Sequence, residues 1–254
     1  MRMNGFIVFG RLVTVAALSC VLVSFAASTV DAADKPVRLF ILSGQSNMHQ
    51  LDPEVSFTPA VTAAFPSDHV IVAKFASSGK LIRMWVKGWQ SPDGDKVPGQ
   101  GKNGRLYDET MKVVAEAMQG QSRPASISFV WMQGEADGNH PGYGAIYGKA
   151  LASLLEQLQT DLGRKDIDFV LGRISDFGND KPDERPSWLA VREAQVAFAE
   201  ADPHRAWVDT DDLNGDANGL HYPRKGCEEL GKRFAEAAIK LIGVREAPAS
   251  KKSN

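Results

Sequence analysis

Ser46 stands in the run Gly44-Gln45-Ser46-Asn47, just beyond the apolar run 37–42. Serine is a weak nucleophile until a base removes its proton, and that base must itself be oriented. Of the five histidines, His69 and His204 fall at strand starts, on the side of a sheet away from Ser46. His49 is three residues past the serine and too local to point back at it, and His140 lies in a Gly- and Pro-bordered loop suited to a substrate contact. His221 sits in VDTDDLNGDANGLHYPRKG, between the last apolar run and the last helical pattern, where it can meet Ser46. Donors for a developing oxyanion are also available. They are the Ser46 backbone amide, the turn at Gly79 in FASSGKLIRMW, and the side-chain amide of Gln133 in VWMQGEAD. A serine, a base and converging donors are the parts of acyl transfer.

Positioning these parts requires elements that end at one rim. Apolar runs at 37–42, 69–75, 126–132, 168–172 and 205–208 read as buried strands. Between them, residues 106–118, 143–162, 188–201 and 225–242 carry apolar side chains at three- and four-residue spacing and read as helices. Such alternation implies an α/β fold, with a central parallel sheet of about five strands between helical layers. Ligands then bind beyond the carboxyl ends of the strands, where Ser46, Gly79, Gln133 and His221 all fall. Residues 87–104 have no period and read as a long surface loop.

The segments GQSNM, SSGKLIRMW, WMQGEAD and DANGLHYPRKG together resemble the blocks of the SGNH/GDSL hydrolases, in the branch of sialate O-acetylesterase-like proteins and carbohydrate esterase family six. The resemblance covers essentially the whole chain after its amino-terminal segment. It implies a flavodoxin-like α/β/α sandwich, no metal or other cofactor, and removal of acetyl groups from an O-acetylated saccharide. It also implies Ser46 as nucleophile, His221 as base, and Gly79 and Gln133 as oxyanion donors beside the Ser46 amide.

One departure bears on mechanism. The family block reads Asp-x-x-His, and here Asn218 takes the aspartate position. In a serine protease that exchange costs about 10⁴ in rate. Asp216 could take over the role, or a dyad with Asn218 orienting the ring could suffice. The Asn218-Gly219 pair could also deamidate to aspartate. A catalytically impaired carbohydrate-binding relative, or a general small-ester lipase or thioesterase, are the rival readings. Alternating oxygens from Asp212 to Asn218 suggest a calcium loop, but Ala217 and Pro223 stand where its glycine and closing glutamate belong. Arg83, Trp85, His140 and Tyr222 are candidate substrate contacts. Glu135 and Asp137 read as braces of the Gln133 turn.

Residues 1–32 carry two arginines around an apolar stretch that ends in small residues, the pattern of a secretory signal. An exported protein, periplasmic or secreted, with no membrane attachment after cleavage, is the expectation. Residues 33–244 would form the esterase domain and 245–254 a flexible tail. Beyond residue 32 only Cys227 remains, so no internal disulfide is available. The 29 basic and 31 acidic residues form no basic block, which argues against nucleic acid as a partner.

Overall fold

The first strand, β1 (Val37–Gly44), is buried along its whole length, as a continuous apolar run must be when helices cover both faces of a sheet. A computed structural model of the protein describes residues 35–91, 101–178 and 184–247; the expected signal segment lies outside them. After β1 come α1 (Ser46–Gln50), α2 (Phe57–Ala64), β2 (His69–Ala76) and a 3₁₀ turn (Ile82–Met84). Then follow α3 (Arg105–Ala117), β3 (Ser126–Met132), α4 (Glu135–Gly138), α5 (Gly144–Asp161) and β4 (Ile167–Gly172). The chain closes with α6 (Pro186–Glu200), β5 (Arg205–Val208) and α7 (Arg224–Glu246).

The five strands are all parallel, in the order β2-β1-β3-β4-β5. This is the flavodoxin-like order, whose topological switch lies between β1 and β3. α2 and α7 pack on one another over one face of the sheet, while α3, α5 and α6 cover the other. Gly144 lets α5 approach α6, because a Cβ there would lie 2.3 Å from the Ser187 carbonyl. Between the layers Trp131 packs edge-on against Trp85 at 5.2 Å, and Phe129 lies 5.1 Å from Phe169.

Register fixes the rim. Gly44 is level with Ala76 of β2 and with Met132 of β3, so the three loops that carry Ser46, Gly79 and Gln133 leave the sheet at one height.

At the opposite, amino-terminal edge, α7 runs two residues into the stretch expected as a tail. Arg245 holds the fully buried Asp168 at 2.6 Å, and Glu246 pairs with Arg38. Among the described residues no helix is long and apolar enough to cross a membrane.

Candidate active site

Gly44 ends β1 with φ 147°, and a Cβ on it would lie 2.0 Å from the Met132 carbonyl. Only glycine lets the chain turn this close to β3. The turn is then pinned on both sides, since the Gln45 amide donates to Met132 O at 2.9 Å and the Ser77 amide donates to Gly44 O at 3.0 Å. Ser46 follows as the first residue of α1, where a backbone N–H has no acceptor within its own helix. The residue is buried, with 6% of its surface exposed.

Gly79 is exposed, has φ 67°, and would place a Cβ in open space. Gln133, expected as a further oxyanion donor, follows directly after β3. It is fully buried, and its amide nitrogen faces Asp137 Oδ2 at 2.6 Å, Lys80 O at 3.0 Å and Gln45 Oε1 at 3.2 Å. Its side-chain oxygen accepts from the Tyr147 hydroxyl at 2.8 Å. With two protons facing three protein acceptors, it braces the turn at Lys80.

Asp137 is the other half of that brace, accepting also from the Ile82 amide at 2.9 Å. Glu135, from the same short helix, reaches elsewhere: its Oε1 accepts from Asn47 Nδ2 at 2.8 Å, and its Oε2 is buried without a hydrogen-bond partner. Burial pushes both carboxyls up to about 7, against the bonds donated to them, and the Glu135 charge adds to the rise at Asp137.

His221 is exposed on the loop between β5 and α7. Its ring makes no hydrogen bond to Ser46, Asn218 or Asp216 among the described residues. The loop is held through backbone instead. Asn47 Nδ2 donates to Leu220 O at 3.2 Å, and Asn47 Oδ1 accepts from the Tyr222 amide at 3.2 Å. The residues on either side of His221 are therefore tied to the residue after Ser46.

The candidate acids lie in the same loop. Asn218 adopts φ 45°, and its side-chain oxygen accepts from Asn214 Nδ2 inside the same turn. Asp216 is exposed. Asp209 and Asp211 pair with Arg173, and Asp212 with Arg233 at 2.6 Å, bracing the loop.

Three expected substrate contacts belong to the interior. Trp85 is fully buried and donates its indole N–H to Ser43 Oγ at 3.0 Å. Tyr222 is 2% exposed and donates to Thr210 Oγ1 at 2.7 Å. Arg83 is buried and closes the base of the 87–104 loop, donating to Gly101 O at 3.1 Å and Asn103 Oδ1 at 2.6 Å. His140 is half-buried and stacks on Tyr143 at 3.7 Å. Sequence reasoning missed Gln45 and Asn47 as structural members of the site, although both lie in the GQSN run itself. Among the described residues no three His, Cys, Asp or Glu side chains are grouped to hold a metal.

Comparison with known proteins agrees with this architecture. A family model described as carbohydrate esterase, sialic acid-specific acetylesterase, matches residues 48–240, a span that starts after Ser46 and includes Gly79, Gln133 and His221. A search of curated proteins finds no match. Among solved structures, a protein from Arabidopsis thaliana aligns over 81% of this chain and 98% of its own, with TM-score 0.62 and 20% identity. A novel carbohydrate acetylesterase from Xanthomonas citri aligns over 81% of this chain and 56% of its own, with TM-score 0.60 and 18% identity. NanS aligns over 83% and 99%, with TM-score 0.55 and 11% identity. These likenesses establish a shared fold. With most of its length under the family model, the chain belongs to the carbohydrate esterases described as sialic acid-specific acetylesterases.

Proposed function

We propose that this protein is an exported serine esterase that removes acetyl groups from carbohydrates. The observation that carries the reading is the link from the Ser46 turn, through Asn47, to both neighbours of His221. Ser46 Oγ attacks the acetyl carbonyl while His221 takes its proton, and the Ser46 and Gly79 amides receive the oxyanion. Collapse expels the sugar hydroxyl, which regains the proton from His221. Water, deprotonated by the same imidazole, then releases acetate. Among the described residues His221 has no hydrogen bond to Asn218 or Asp216, and Asn218 is engaged by Asn214, which favours a Ser46–His221 pair over a triad with either as acid. Export rests on residues 1–32, and the amino terminus of the mature protein, read by mass spectrometry, tests it.

Acetate release from a small acetyl ester and from acetylated saccharides, by wild type, Ser46→Ala, His221→Ala and Asp216→Ala, tests the function. The first two variants lose at least about 10³ in kcat/KM. Asp216→Ala stays within about threefold of wild type, because an exposed carboxylate with no bond to the ring stabilises little. A wild type as inert as Ser46→Ala overturns the esterase reading in favour of a carbohydrate-binding relative.

A further inference from the structure

We propose that Asn47 is the positioning residue for His221, and that Glu135 fixes Asn47 in the one orientation able to do this. The inference rests on the esterase reading for its catalytic meaning. Asn47 is 1% exposed and sits on α1 directly after Ser46. A carboxamide has one accepting oxygen and two N–H donors, and here each has a partner. One proton goes to Glu135 Oε1 at 2.8 Å and the other to Leu220 O at 3.2 Å, while the oxygen takes the Tyr222 N–H at 3.2 Å.

Rotating the amide by half a turn would set donor against donor at Tyr222 and acceptor against acceptor at Leu220. Glu135 disfavours that state when ionised, because a carboxylate only accepts and so favours the face that carries the nitrogen. It does so from the first turn of α4, on the β3 rim. The serine, the base loop and the third strand exit are thus fixed to one another by a single buried side chain. The imidazole of His221, with no carboxylate on its ring, is placed by its own backbone. A shift of about 1 Å in such a group is enough to cost two orders of magnitude in rate.

Hydrogen exchange at the Tyr222 amide reads the clamp without reference to activity. Asn47→Ala and Glu135→Ala each speed that exchange by about tenfold, the worth of one net hydrogen bond. Glu135→Gln, which keeps an accepting oxygen, stays within about twofold. On a small acetyl ester, kcat falls by about a hundredfold in both alanine variants with KM within about threefold, and the double variant is no worse than either. Asn47→Ser and Glu135→Leu replace any alanine variant that does not fold. Unchanged Tyr222 protection in the Asn47 variant overturns the clamp, and losses that add fully in the double variant overturn the link through Glu135. An inert wild type whose Tyr222 exchange still responds to both substitutions supports the clamp and sinks the esterase reading instead.

Discussion

Asn218 turns its side-chain oxygen to the Asn214 amide, four residues back in the same loop, and so serves the turn. Its φ of 45° lies in the left-handed region, which costs an ordinary side chain about 1–2 kcal/mol. Asn218→Ala should therefore unfold more easily than Asn218→Gly by about 1 kcal/mol, since both lose the bond to Asn214 and only alanine bears the strain. Urea denaturation of the pair measures this difference. Equal stabilities would mean that the loop relaxes away from the left-handed conformation.

The buried carboxyls set a pH dependence. Glu135 and Asp137 release their protons at about 7 in the folded protein, well above their ordinary values of 4.5 and 3.8. Between those limits the folded chain binds more protons than the unfolded one, so stability contributed by these groups is complete at low pH and lost as pH rises toward 7. The slope is at most about 1.4 kcal/mol per pH unit for each carboxyl. Urea midpoints from pH 4.5 to 7.5 should fall in wild type and fall less in Glu135→Gln combined with Asp137→Asn. Identical slopes in the two proteins would rule these residues out as the source.

Two glycines of the site should respond in opposite ways. Gly44→Ala forces a Cβ to within 2.0 Å of a carbonyl and should cost more than about 4 kcal/mol, enough to prevent soluble expression. Gly79→Ala meets nothing within 4 Å and bears only the cost of its φ, about 1 kcal/mol. Its backbone amide survives, so kcat/KM should remain within about tenfold. A folded but inactive Gly79→Ala would show that the site needs the space as well as the amide.

Arg245 should matter to stability and not to turnover. Its removal strands the fully buried Asp168, whose one other ion-pair partner among the described residues is His204 at 3.6 Å, at the amino-terminal edge of the sheet. Breaking a buried pair in this way costs about 3–5 kcal/mol. Asp168→Asn in the Arg245→Ala background should recover part of the loss. Denaturant midpoints report the cost, and kcat/KM should be unchanged.

The strands were legible because each is a short, mainly apolar run; 126–132 and 205–208 match β3 and β5 residue for residue. The long helices declared themselves by period. α1 and α4 span only five and four residues, too short for a period to register, and it is these that carry Ser46, Asn47 and Glu135. Position after a strand identified Ser46 and His221 as candidates. It could not separate a cleft wall from the core, so Trp85, Arg83 and Tyr222 were placed outward by their type although their polar atoms find partners inside. Nor could spacing show that Gln133 has its protons engaged, because Lys80 and Gln45 reach it only in the fold.

The closure made by Arg83 separates two scales of variation. Its guanidinium and backbone tie together Gly101, Asn103 and Gly104, and Asn103 in turn reaches Trp89 O at 3.0 Å, so the 87–104 loop is shut at its neck. Chain length beyond a closed neck adds little entropic cost, growing only with the logarithm of the number of residues. Changes in chain length between residues 91 and 101 should therefore cost little stability as long as the Arg83 contacts hold.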